Sequence, residues 1–236
     1  MEFQSLPLII RDLVRIIRGS IETQSETISD RQVEYWIHQY RALLLKQDID
    51  KSKVPNPDYI QEIKGLHLTQ IDITEISGIP IGKYILKSDL QLPKTIDCNF
   101  KSGFTYIGTA AGREIQYIPQ SRANWQQYKT YTNNEPTVYL KNRYLYVING
   151  DILEYIDIRG IFEIPTEVSQ FVNPITGTPV YDVNTDKYPI PTSILPILKE
   201  MILKKELGIM TNSVSDVSND SANNTLNVNR GKQTQA

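Results

Sequence analysis

Along the first fifty residues the apolar positions recur every three or four places. Leu6, Ile9, Ile10, Leu13, Ile16 and Ile17 share one side of a helix, and Gly19 follows as its stop. A polar stretch from Ser20 leads to Ser29, placed to cap a second helix, with Gln32 three positions on to reach back as in a capping box. Val33, Trp36, Ile37, Tyr40 and Leu44 trace the buried stripe of that helix, which is expected to end near Lys46. Neither helix can bury its apolar face alone, so the two are expected to pack together. The run Lys51 to Pro57, with prolines at 55 and 57, breaks the helical pattern and marks a boundary.

From Leu66 to Pro165 the period changes to two. Leu66–Ile73, Lys83–Leu86, Thr95–Cys98, Phe104–Ile107 and Glu114–Ile118 read as short strands between turn residues, and Ser121 to Lys129 permits a short helix among them. The densest strand signal is Pro136 to Pro165. A two-residue turn at Asn142-Arg143 pairs Leu140 with Leu145 and Val138 with Val147 on one face and sets Tyr139 opposite Tyr146 on the other. That register requires a positive φ at Arg143, where glycine is the usual residue. After the turn signal Asn149-Gly150-Asp151, Ile156 and Ile158 alternate with Tyr155, Asp157 and Arg159 in a third strand, giving an expected three-stranded antiparallel meander.

Thr166 to Phe171 reads as one short helical turn, and Asn173 to Pro191 as a proline-rich connector expected to order only against a neighbour. A last helix is expected to start from a cap at Ser193, to carry Pro196 in its first turn, to turn Leu198, Met201, Ile202 and Lys205 inward, and to stop at Gly208. Of the final 26 residues, from Thr211, half are Ser, Thr or Asn, too polar to offset their own ordering entropy. The fold class that follows is α+β: a helical bundle from the N-terminal helices and a C-terminal helix, an inserted antiparallel β domain, and a disordered or partner-ordered tail. The expected divisions are 1–57, 58–165, 166–210 and 211–236.

Composition narrows this picture more than it extends it. Two hundred and thirty-six residues, 40% hydrophobic and 22% charged, suffice for a sizeable core. The 25 basic and 27 acidic residues leave a formal charge of -2, which gives the whole chain no general attraction to nucleic acid or anionic membrane. Arg11, Asp12 and Arg15 interrupt the first apolar run too early for a membrane span or a signal core, so a soluble, unexported chain is expected. The lone cysteine, Cys98, has no partner for an internal disulfide and reads as a small buried hydrophobe. Tyrosine stands out, with 14 copies against 5 Phe and 2 Trp, and suits half-buried sheet faces and interfaces alike.

The search for catalytic chemistry is negative. The segment Gly108 to Gly112, GTAAG, lacks the lysine and hydroxyl of a phosphate loop and reads as a turn. His38 and His67 fall in different elements without the further ligands a metal needs, and His38 reads as a surface or interface residue. The pairs Asp72 with Glu75 and Glu154 with Asp157 read as solvated strand positions, and Lys199, Lys204 and Lys205 as a solvated helix face. No enzyme activity, cofactor or metal is expected. The tyrosine-rich sheet, the long connector and the polar tail suit a chain ordered by neighbouring subunits.

Two stretches carry a family likeness. Tyr139 to Asn149, YLKNRYLYVIN, followed by Ile156 to Val168, IDIRGIFEIPTEV, resembles a hairpin and a glycine-isoleucine-phenylalanine strand of virion head-to-tail connector proteins of tailed phages. Ile164 stands before Pro165 where that pattern has an acidic residue. The helical opening from Ile10 to Gln47 resembles the N-terminal segment of ring or adaptor proteins of short-tailed, crAss-like phages. The resemblance implies a structural virion protein, assembled in the host cytoplasm as a homo-oligomeric ring, typically of twelve copies. It implies docking to the portal protein at one end, contact with other tail or ring proteins at the other, DNA passing through without specific binding, and no membrane. Residues expected at subunit or partner contacts are Tyr139, Tyr146, Tyr155, Leu207, Ile209, Met210, Val214 and Val217. The competing reading is a β-rich recognition module binding a glycan or receptor through exposed tyrosines.

Overall fold

The structure is a computed structural model that describes residues 4–20, 28–52, 55–71, 85–97, 103–123, 125, 135–150 and 153–206. Helix α1 (Leu6–Ser20) buries Leu6, Ile9, Leu13 and Ile17, a narrower stripe than the sequence pattern suggests, because Ile16 turns outward. Each such side chain contributes roughly 1.5–3 kcal/mol on burial. Helix α2 (Asp30–Ser52) starts where Ser29 predicts, with the Gln32 amide donating to Ser29 Oγ at 3.3 Å. It runs past Lys46 to Ser52. Nothing before Pro55 breaks it, and Leu45 and Ile49, four apart, bury against Tyr59, Ile96 and Ile161. The predicted Leu44 is therefore only half-buried, and Leu45 takes its place.

Helix α4 (Leu195–Lys205) completes a shared apolar cluster with α1 and the first half of α2, through Leu195, Leu198 and Ile202. Ile194 rather than Ser193 occupies its N-cap, and no side chain caps it. Lys205 is exposed, with Nζ 5.8 Å from the Tyr40 ring centroid, since the inward stripe ends at Ile202. Gly208 lies outside the described residues.

Among the described residues seven strands form one sheet in the order β3-β7-β1-β2-β6-β5-β4: β1 (Gln61–Gln70), β2 (Ile85–Ser88), β3 (Phe104–Gly108), β4 (Gln116–Tyr117), β5 (Thr137–Lys141), β6 (Tyr144–Ile148) and β7 (Tyr155–Gly160). A bridge between Gly108 and Glu114 and a 2.8 Å hydrogen bond from the Ile115 amide to the Ile107 carbonyl draw the two edge strands together, so the sheet nearly closes. GTAAG is the turn that makes this link, with the Gly112 amide bonded to the Thr109 carbonyl at 2.9 Å. Ile63, Leu68, Ile107, Val138, Val147, Ile156 and Ile158 fill the concave core.

The β5–β6 hairpin has the expected register: Leu140 opposite Leu145, Tyr139 opposite Tyr146 and Val138 opposite Val147, with φ of 52° at Asn142 and 65° at Arg143. The meander does not form. β6 uses its second edge for β2, and β7 pairs with β1 and β3, so the chain crosses away after Asn149. Nor is the sheet wholly antiparallel: β4 pairs parallel with β5, because α3 (Gln120–Ala123) and a long connection replace a hairpin between them. Thr95 contributes a single bridge to Phe162 rather than a strand, and Cys98 lies outside the described residues. Strand β1 begins five residues earlier than Leu66, through a bulge at Lys64-Gly65 that periodicity alone conceals. Gly65 has φ +65°, and its amide donates to Asp157 Oδ1 at 2.8 Å.

The 3₁₀ turn Pro165–Gln170 matches the predicted short helical turn and leads to the connector. The connector orders against its own chain, contrary to expectation. Tyr181, Tyr188 and Ile190 are buried, and the Tyr188 amide bonds the Gln4 carbonyl at 3.1 Å.

Candidate assembly surfaces

Arg41 holds the helical and strand parts to one another. It sits one turn from Ile37 and one turn from Leu45, so the periodicity of α2 carries it into the interior, where it is 0% exposed. Nε donates to the Pro189 carbonyl and Nη1 to the Phe162 carbonyl, each at 2.7 Å. Its guanidinium lies 5.5 Å from the Tyr188 ring centroid. Among the described residues no carboxylate pairs with it and Nη2 has no hydrogen-bond partner. One cation thus ties α2, the connector and the exit of β7 through two main-chain oxygens. The exit is the GIFEIP stretch: Ile161 and Phe162 are buried in different clusters, and a Cβ on Gly160 would lie 3.2 Å from the Gly103 carbonyl oxygen.

His38 is buried next to this pin rather than at the surface, and shares a 2.9 Å hydrogen bond with the Tyr188 hydroxyl. Burial, reinforced by the Arg41 charge, lowers its pKa to about 4, so the ring is neutral. Glu34, 3.5 Å from Nε2, is too open to water to reverse this. Burial raises Tyr188 above the ordinary phenol range.

Of the three sheet tyrosines expected at contacts, Tyr139 is 1% exposed and Tyr146 8%. Their rings stack at 5.2 Å on the outer face of the sheet, covered by Ile85, Ile118 and Ala123 of the same chain. Both rings are covered within the chain, so of the three only Tyr155 is open to solvent. Tyr155 is 41% exposed and lies 5.2 Å from His67, which in turn meets Asp89 Oδ2 at 2.5 Å. Leu207, Ile209, Met210, Val214 and Val217, like Asp72 and Glu75, lie outside the described residues.

Three of the remaining candidate side chains have partners within the chain. Asp157 accepts from the Gly65 amide, Lys199 bonds Asp12, and Lys204 bonds Glu200. Among the described residues no group of three or more His, Cys, Asp or Glu could hold a metal, and no helix is long and apolar enough to cross a membrane.

Two surface features stand out instead. A groove of about 360 Å³ runs between α1 and the start of α2, with Pro7, Ile10, Val14 and Val183 as its apolar lining. The connector also projects a tight hairpin, held by hydrogen bonds from the Asn173 amide to the Thr178 carbonyl and from the Val180 amide to the Phe171 carbonyl, each 2.9 Å.

A family model described as phage tail ring protein 2 matches residues 8–225 of this sequence, from the start of α1 through α4 and into the polar tail. The chain belongs to this family. A curated relative, Ring protein 2 of Bacteroides phage crAss001, is 27% identical over 187 residues, covering 75% of this chain and 79% of the relative. The likeness read from the helical opening and the hairpin is therefore shown, and the ring protein family gives the chain a structural role in the virion. It is a family of phage structural proteins and not of enzymes. Arg41 and Gly65, which hold this ring protein's parts in place, escaped the sequence reading. The signal for Arg41 was its position four residues from both Ile37 and Leu45, on the apolar side of α2.

Proposed function

We propose that the chain forms a closed ring of twelve copies in the head-to-tail connector of a phage. One end docks to the portal, the other offers a platform to further tail or ring proteins, and the centre extends the channel for DNA. The observation that carries this reading is the match to the tail ring protein 2 family over residues 8–225. A subunit in such a ring must transmit load without bending at a hinge. The build of this chain suits that task, because α2 packs on α1 and α4 with its first half and on the strand exit with its second. A formal charge of -2 is compatible with DNA that passes through without being held.

In this reading Tyr155, exposed beside His67, meets a neighbouring subunit. The segment from Leu207 onward, with Ile209, Met210, Val214 and Val217, contacts the portal. The test is binding of the purified chain to the portal protein of its own phage, followed by sedimentation. The intact chain is expected to co-sediment with the portal, and a chain ending at Glu206 to lose that binding while keeping its own assembly state. Equal binding by both chains would overturn the role of the tail, and no binding by either would overturn portal docking.

A further inference from the structure

A ring closes only through a heterologous contact, in which one patch of the chain meets a different patch on the next copy. We infer that the hairpin Phe171–Val180 of one copy inserts Ile175 into the α1–α2 groove of the adjacent copy. This rests on the ring reading above.

The hairpin is built to present its tip. Ile175 is 92% exposed, the most open large hydrophobic side chain among the described residues, and Val172 beside it is exposed as well. An isolated exposed Leu or Ile is ordinary, but this one is held in place on three sides. Its amide donates to Asn173 Oδ1 at 2.9 Å, the Thr176 and Thr178 hydroxyls share a 2.8 Å bond, and Gly177 supplies a φ of +68°. Pro174 presses onto the bulge in β1 so closely that a Cβ on Gly65 would lie 2.4 Å from its Cδ. The tip cannot fold back to hide the isoleucine without losing these contacts. A rigid apolar anchor of this kind loses little entropy on docking.

The groove supplies the complement on the same chain. Its lining of Pro7, Ile10, Val14 and Val183 is apolar, and about 360 Å³ admits a branched side chain with its neighbours. The tip, Val172 to Pro179, carries no charge, so it enters without desolvating an ion. The charged groove lining is balanced, with Arg11 and Arg18 on the α1 wall against Asp30 and Glu34 on the α2 wall. An uncharged tip therefore meets no net charge in its seat.

The test uses the full chain with Cys98→Ser as background. Native mass measurement of the background chain establishes whether rings form. Ile175→Asp is expected to weaken each contact by about tenfold or more, as for a central anchor, and to leave monomers with an unchanged circular dichroism spectrum and melt. Ile175→Cys combined with Val14→Cys is expected to give a ladder of disulfide-linked copies under oxidation. Monomers of the background chain at every concentration would overturn the ring reading and this contact with it. Rings of Ile175→Asp as stable as the background, or loss of rings without the Ile175–Val14 ladder, would overturn the seat proposed here and leave the ring reading standing.

Discussion

Arg41 is a buried cation whose neighbours are two carbonyl oxygens and an aromatic face. Such a group is worth little against a well-packed apolar replacement, but removing it from a site shaped around it is costly, because both acceptors lose their donor and a cavity remains. Arg41→Ala is expected to lower unfolding stability by about 3–5 kcal/mol in urea. Arg41→Lys is expected to recover only part of that loss, since an ammonium cannot serve two divergent carbonyls with the same fork geometry. Equal stability of the alanine variant and the wild type would contradict the pin.

His38 adds a pH dependence at the same site. Its folded pKa of about 4 lies below the ordinary 6.5, so the unfolded chain binds a proton that the folded chain refuses. The contribution is fully present above pH 6.5 and is lost as the pH falls through 4, to the extent of about 3 kcal/mol. His38→Gln is expected to flatten the stability profile across that window, measured by urea midpoints at a series of pH values. An unaltered slope would show that another group carries it.

At the level of elements, the β5–β6 hairpin was legible in the sequence to the residue. Two alternating runs and a two-residue turn leave one register in which every side chain finds a sensible face. The same reading could not explain how Arg143 tolerates φ +65°. The structure answers through the side chain: Nε donates to the Leu92 carbonyl at 2.8 Å and Nη2 to Glu167 Oε2 at 2.5 Å. Arg143→Ala keeps the strained backbone and loses both bonds, and is expected to destabilise by about 1–2 kcal/mol. Arg143→Gly loses the same bonds but relieves the strain, and is expected to fall closer to wild type by roughly 1 kcal/mol. Equal midpoints for the two variants in chemical unfolding would contradict this division. What the sequence hid was pairing between distant strands. β7 looks like the next strand of a meander because local pattern cannot register that β6 already spends its free edge on β2. The bulge at Gly65 likewise masked the first half of β1, since an extra residue inverts the alternation.

For the whole molecule, the helical periods, the strand-rich middle and the connector were readable, while the forces that join them were not. Arg41 reads as a polar interruption until the carbonyls of Pro189 and Phe162 are seen to converge on it. Tyr139 and Tyr146 read as surface aromatics because a strand alone does not reveal that Ile85, Ile118 and Ala123 cover its second face. Function was legible only through family likeness, since no constellation of reactive side chains announces a ring. The central claim is that this chain, a member of the tail ring protein 2 family, closes into a ring with copies of itself. Native mass spectrometry of the purified full chain tests that most directly. The account predicts one dominant species at about twelve times the 27.0 kDa chain mass, and a chain that stays monomeric at every concentration would contradict it.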